Sequence, residues 1–141
     1  MQGRQWLFLP WPFAAIGGPF AAIDIMNAHP LDRSEHVRGM KLLYAFAVEN
    51  NGFLKGTLQL KAAHAACHCL INFHHDIELA RLAFMTLLYC TKEDTPGFKK
   101  VRIYLRKVDI FSLATEYQEF FRLDSHIVNF IQWVRSNPGY D

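Results

Sequence analysis

Apolar side chains recur at steps of three and four residues over much of this chain, a spacing that places them on one face of a helix. The first such stripe lies between residues 34 and 49. Ser34 is a residue type that caps helix N-termini, and Asn51-Gly52 is a pair that tolerates the left-handed backbone at a C-terminus. We therefore predict a first helix over residues 34–49. Its stripe consists of Val37, Met40, Leu43, Tyr44, Ala47 and Val48.

The next two predicted helices differ in how much of their surface is apolar. A second helix is expected from Thr57 to about Leu70, and its residues are apolar on nearly all sides. Because a helix that is apolar all round is normally buried, we expect it to be central. After a short connection, a third helix is expected to start at His75 or Asp76 and to run to about Tyr89.

Three more helices are predicted in the C-terminal part of the chain. Thr95-Pro96, a capping residue followed by a proline, predicts the start of the fourth. Asp109 is expected to start the fifth, and Asp124 or Ser125 the sixth, which Asn137-Pro138-Gly139 ends. No segment alternates between apolar and polar at a period of two. The sequence thus predicts an all-α fold, a compact bundle of five or six helices with an apolar N-terminal arm.

The arm and the linker after it occupy residues 1–33, and the helical domain is expected over 34–141. Residues 5–23 carry no charge, and this stretch is close to the ~20 residues that a membrane-spanning helix needs. Three prolines and the Gly17-Gly18 pair oppose a regular spanning helix. Three interpretations stay open: a membrane-associated anchor, an arm that packs on a partner or on its own domain, and a secretory signal.

Composition narrows the class of protein further. The chain has 141 residues, which suits one domain, and 51% of them are hydrophobic, which suffices for a core. A formal charge of +2 does not by itself point to nucleic acid or to an acidic partner. Three cysteines without framework spacing favour a reducing compartment. We expect the protein in the cytoplasm or at the cytoplasmic face of a membrane.

The order of these elements resembles one known family. The relevant features are the helix ending at Asn51-Gly52, the apolar second helix, the Leu70–Phe73 turn, the Thr95-Pro96 entry and the aromatic helix from Phe111 to Phe121. They resemble the tellurite-resistance TerB-like domain, in the version found at the N-terminus of membrane-anchored DnaJ-like co-chaperones. The resemblance implies a non-enzymatic helical interaction domain that works in a co-chaperone or stress-response assembly.

The N-terminal segment and the metal positions bear on the same resemblance. Residues 16–23, followed by 31–33, are similar to the Gly-Gly-Pro segment that precedes the domain in that family. In the family, an Asp and a Glu are implied to hold a divalent metal. Asn51 stands at the first position and Thr57 or Gln59 at the second, so the charge that a hard cation requires is missing. The chain also lacks the His-Pro-Asp turn of a J domain.

One cluster of histidine and cysteine residues could bind a metal. His64, Cys67 and His68 are spaced at i, i+3 and i+4, so a helix places them on one face. With Cys69, His74 or His75 they offer ligands to zinc or another divalent metal, and a metal-binding stress protein is the alternative function. In the competing interpretation, the cysteines pack as small apolar residues while the histidines face water or a neighbouring carbonyl.

A basic surface is expected on the fourth helix, where phosphates or anionic lipid headgroups could bind. The alternative is a solvated helix face. A small nucleic-acid-binding subunit is accordingly a third hypothesis. We nevertheless expect a protein to be the main partner and a membrane to be a second partner, bound through the arm. We do not expect nucleic acid to be a partner. The sequence does not indicate an oligomeric state. The basic residues are Lys99, Lys100, Arg102, Arg106 and Lys107.

Enzyme signatures are missing from the sequence. It contains no Gly-rich phosphate loop, no Gly-x-Ser-x-Gly and no His-Glu-x-x-His. Glu116 and Glu119 form a carboxylate pair at i, i+3, for which a solvated helix face is the favoured interpretation. We expect no enzymatic activity and no cofactor other than a metal at the histidine cluster.

Overall fold

Seven helices make up the part of the chain that the computed structural model describes, namely residues 12–137, 139 and 140, with side chains from residue 18 onward. The all-α prediction is confirmed, but the number of helices is seven in this part and not five or six. The extra helix lies in the predicted arm. The helices are α1 Pro12–Ala28, α2 Arg33–Asn50, α3 Gly56–Asn72, α4 Ile77–Cys90, α5 Phe98–Lys107, α6 Ile110–Phe120 and α7 Ser125–Ser136.

Helix α1 is bent at Gly18, whose φ of 59° is a left-handed value that glycine adopts without strain. Pro19 follows, where its fixed φ suits the start of the next helical stretch. From there, α1 packs on α2 and α3, and Ala22, Ile23 and Met26 are buried. Residues 12–28 of the predicted arm are therefore helical, and Ala22, Ile23 and Met26 contribute to the core.

The structure describes only part of the segment 5–23 that was considered as a membrane span. No helix in the described part of the chain is both long enough and apolar enough to cross a membrane. Residues 5–11 of the predicted span lie outside the described residues.

Four predicted helix ends agree with the structure because the signals act locally. Asp76, Asp109 and Asp124 are N-caps, and their carboxylates accept hydrogen bonds from backbone N–H groups of the first helical turn. Asn51 ends α2 in the left-handed conformation with a φ of 51°, and the Gly52 N–H donates to the Ala47 carbonyl at 2.8 Å.

Three predicted helix starts were displaced. The N-cap of α2 is Asp32 instead of Ser34, whose hydroxyl donates to the Asp32 carboxylate. Helix α3 begins at Gly56, one residue before the predicted cap Thr57, and α5 begins at Phe98. Thr95-Pro96 forms a turn ahead of α5, because the threonine hydroxyl is already engaged in two hydrogen bonds elsewhere.

Those two bonds belong to a buried network around Gln59. The Gln59 Nε2 donates to the Cys90 carbonyl at 2.7 Å and to Thr95 Oγ1 at 2.6 Å, while its Oε1 accepts from the Gly97 N–H at 2.8 Å. The threonine hydroxyl donates in turn to the Lys92 carbonyl. A fully buried amide with all of these bonds made holds the α4–α5 loop against α3.

Helices α3 and α4 form the centre of the bundle, with α2 and α7 packed on α4, and α1 and α5 on α3. The turn between them, residues 73–76, faces α6. Tyr117 of α6 is fully buried, and its hydroxyl donates to the Leu70 carbonyl at 2.7 Å and accepts from the His75 N–H at 3.2 Å. This tyrosine fixes the backbone of the α3–α4 turn, which carries His74 and His75.

Candidate metal-binding and interaction sites

The three ligands predicted on α3 go to different partners. The His64 ring stacks on Tyr104 with 3.8 Å between ring centroids. Cys67 is fully buried in the core. Burial raises the pKa of Cys67 to about 12, so this thiol stays protonated at neutral pH. His64 is exposed whereas Cys67 lies in the core, and the two do not belong to a convergent group of ligand atoms within the described residues.

His68 is engaged through both ring nitrogens. Its Nε2 lies 2.7 Å from the Pro30 carbonyl, and its Nδ1 lies 3.2 Å from the Asn72 side-chain nitrogen. Its ring stacks on His36 at 4.9 Å. The placement matches the competing interpretation from the sequence, in which the cysteine packs in the core and a histidine faces a neighbouring carbonyl.

Buried His36 completes this group, which the sequence pattern did not single out. Its Nε2 lies 3.0 Å from the His29 carbonyl, which makes this nitrogen the donor, and its Nδ1 lies 3.7 Å from the Cys69 sulfur. Burial lowers the pKa of His36. His36, His64 and His68 line a cavity of about 520 Å³ between α1, α2, α3 and α5.

A second cluster joins the α3–α4 turn to α6. The His74 Nε2 lies 2.6 Å and the His75 Nε2 3.6 Å from Glu116 Oε1. Within the described residues, this is the group of three histidine, cysteine or carboxylate side chains whose ligand atoms converge, all within 4.8 Å of one another. The sequence pattern named both histidines as additional ligands, but it did not pair them with Glu116.

The fold holds His75 in place from several sides. Its backbone has a φ of 63°, its N–H donates to the Tyr117 hydroxyl, and its ring stacks on Phe120 at 3.6 Å. Burial raises the pKa of Tyr117 to about 12, so its phenol remains a hydrogen-bond donor to the Leu70 carbonyl. The His75 Nε2 is buried and has no hydrogen-bond partner among the described residues.

The positions that the resemblance aligns with metal-binding carboxylates are used within the fold. Asn51 Oδ1 accepts a hydrogen bond from the Lys92 ammonium at 2.7 Å. Gln59 is committed to the α4–α5 loop by its three hydrogen bonds. A lysine ammonium therefore contacts Asn51, the residue that the resemblance aligns with a metal-binding aspartate.

Four of the five predicted basic residues of α5 are exposed around one apolar side chain. Lys99, Lys100, Arg106 and Lys107 lie three or four residues from Ile103, which is 53% exposed. Arg102 departs from this face, because its guanidinium lies over the Phe98 ring at 4.9 Å. Binding of phosphate, lipid or nucleic acid here stays a prediction.

The connection between α6 and α7 exposes large apolar side chains. Leu123 is 98% exposed and Phe120 is 60% exposed. With Ile77 and Phe121 they line a groove of about 770 Å³, and we call these four residues the corner surface. Polar groups surround it: the Arg81–Asp124 ion pair at 2.6 Å, with Glu119 and Arg122.

Comparisons with known proteins identify no relative: no family model, no curated protein and no solved structure matches this chain. The TerB-like resemblance stays a prediction from the sequence, and function has to be inferred from the residues themselves.

Proposed function

We propose that this chain is a non-enzymatic helical interaction domain that binds a protein partner through the corner surface. The observation that carries the proposal is the exposure of Leu123, at 98%, and Phe120, at 60%, on the same groove. The TerB-like resemblance favours a co-chaperone or stress-response assembly as the setting, in the cytoplasm or at the cytoplasmic face of a membrane.

The energetics of burial support this surface. Burying a large apolar side chain contributes roughly 1.5–3 kcal/mol, and two such residues are available side by side. Charges of both signs surround them, so the surface has an apolar centre and a polar rim, as protein interfaces do. A groove of about 770 Å³ has room for several apolar side chains, and an amphipathic helix of the partner presents such anchors at i and i+4.

A photocrosslinking experiment in cells that express the chain tests the proposal. A photoreactive amino acid at Arg122, beside the groove, should form a covalent adduct with one partner protein. The same amino acid at Glu93, which is exposed in the α4–α5 loop, serves as the matched control. Leu123→Asp should abolish the adduct while leaving the fold intact, because Leu123 is almost fully exposed. Equal adducts from both positions, or an adduct that survives Leu123→Asp, would contradict the proposal.

Sedimentation of the purified chain distinguishes a different partner from a second copy. We expect a monomer at all concentrations. A concentration-dependent dimer that Leu123→Asp abolishes would overturn the proposal of a separate partner, because the corner surface would then be a homodimer interface.

A second candidate function, contact with an anionic membrane surface, is favoured by the exposed Ile103 among four cations on α5. Each cation near such a surface contributes about 1 kcal/mol. We expect the chain to float with vesicles that contain phosphatidylserine but not with phosphatidylcholine vesicles, and Ile103→Asp to reduce flotation. A variant that lacks residues 1–11 keeps α1, so retained flotation in that variant would assign binding to α5, and lost flotation would assign it to the N-terminal segment.

A further inference from the structure

We propose that His74, His75 and Glu116 form a binding site for a divalent transition metal, with zinc as the favoured ion. The site adjoins the corner surface, because the His75 ring stacks on Phe120, but the inference does not rest on the proposed protein-binding function. It lies where the α3–α4 turn meets α6, and it differs from the His64, Cys67 and His68 set that the sequence pattern suggested.

The donor atoms suit a borderline metal. Two imidazoles and one carboxylate favour zinc, nickel, copper or cobalt over magnesium and calcium, which prefer oxygen ligands. Three protein ligands leave the fourth position of a tetrahedral zinc ion for water. All three donor atoms lie within 4.8 Å of one another in the metal-free arrangement.

One donor distance already suits zinc, and those that involve His74 require a change of rotamer. At zinc bond lengths, two ligand atoms of a tetrahedral ion lie about 3.4 Å apart. The His75 Nε2 is already 3.6 Å from Glu116 Oε1. The His74 Nε2, at 2.6 Å from the same oxygen, has to move outward, and the side chains of His74 and Glu116 are 47% and 48% exposed, so both can change rotamer.

His75 is held in place before any metal binds. Its left-handed backbone, the hydrogen bond to Tyr117 and the stack on Phe120 fix the ring. The His75 Nε2 is buried and lacks a hydrogen-bond partner among the described residues. Leaving a buried polar atom unpaired is unfavourable, and coordination to a metal would give this nitrogen a partner.

Calorimetric titration of the purified full chain with zinc chloride tests the site. We expect one ion to bind per chain, and magnesium chloride to produce no binding. Glu116→Gln removes the carboxylate at a half-exposed position, and His75→Asn removes an imidazole while keeping a residue that tolerates the left-handed conformation. Each should weaken zinc binding at least about tenfold, because even partners outside the ligand set usually contribute 10–100-fold.

Two control variants complete the experiment. His64→Gln changes the exposed histidine of the other cluster and should leave zinc affinity unchanged, as should Leu123→Asp on the corner surface. Circular dichroism confirms that each variant is folded. The proposal fails if none of zinc, nickel, copper and cobalt binds. It also fails if Glu116→Gln and His75→Asn bind zinc like the wild type, or if His64→Gln is the variant that loses it.

Discussion

The two histidine clusters of this protein lie close in sequence but differ in what their polar atoms contact. On α3, His68 meets the Pro30 carbonyl and His64 stacks on Tyr104. After α3, the nitrogens of His74 and His75 face a single carboxylate of α6. The first cluster is occupied with holding helices together, whereas the second has ligand atoms that converge.

The difference shows the limit of spacing as evidence. A helical repeat places side chains on one face, but it does not specify which element that face meets. The α3 face meets the α1–α2 connection, which supplies the Pro30 carbonyl, and α5, which supplies the Tyr104 ring. The turn at residues 73–76 meets α6, and only this tertiary contact brings Glu116 to His74 and His75.

Removal of a buried histidine from the first cluster should have the largest effect. His36→Ala removes an almost fully buried ring and its hydrogen bond to the His29 carbonyl. We expect the free energy of unfolding to fall by about 2–5 kcal/mol, as for other large-to-small substitutions in cores. Urea denaturation measures the change. The matched variant His74→Ala, at a half-exposed position of the second cluster, should cost less than about 1 kcal/mol. Similar losses in both variants would erase the distinction between the clusters.

The tyrosine that supports the second cluster should have the next largest effect. Tyr117→Phe leaves the Leu70 carbonyl and the His75 N–H without their partner, which should cost about 1–3 kcal/mol. Tyr44→Phe, at a half-buried position where the ring contacts Tyr89, serves as the control and should cost less. Thermal unfolding compares the two, and a loss no greater than the control's would show that the hydroxyl does not hold the turn.

Lowering the pH should reduce the free energy of unfolding through His36 of the first cluster. Burial lowers the pKa of His36 below its usual value of 6.5, so the unfolded chain takes up a proton at higher pH than the folded chain. This histidine's contribution to stability is complete above the unfolded pKa and is lost as pH falls toward the folded one. The urea midpoint should decrease as the pH is lowered from about 7 to about 5. The decrease per pH unit should be smaller in His36→Gln. An unchanged slope would show that His36 does not titrate in this range.

The smallest effect on stability is expected at the second cluster. Glu116 is half exposed, so its contact with His74 is screened by water, and Glu116→Gln should change the free energy of unfolding by less than about 0.5 kcal/mol. Chemical denaturation without metal measures it. A loss above about 1 kcal/mol would mean that the carboxylate serves the fold.

Most of the fold could be predicted because its signals are local. The aspartates at residues 76, 109 and 124 cap the helices that follow them, and Asn51 ends α2. Helix α1 was missed because Gly17, Gly18 and Pro19 resemble a break. The chain instead uses the left-handed Gly18 to bend the helix, after which its next residues enter the core.

The start of α5 and the second histidine cluster could not be predicted, because both depend on contacts between residues that are distant in sequence. Thr95-Pro96 has a helix-start sequence, yet Gln59, 36 residues earlier, binds the threonine hydroxyl and shifts the start to Phe98. At the second cluster, both histidines could be recognised as ligand types. Glu116 could not be joined to them, since its neighbour Glu119 made a solvated carboxylate pair the simplest interpretation.

We expect the ring nitrogens of His74 and His75 to bind a metal, and those of the first cluster not to. Nuclear magnetic resonance of the histidine rings, recorded while zinc is added to the full chain, tests it most directly. We expect the ring signals of His74 and His75 to shift until one equivalent of zinc is bound, while those of His36, His64 and His68 stay in place. Shifts confined to His64 and His68, or no shift in any ring, would contradict the claim.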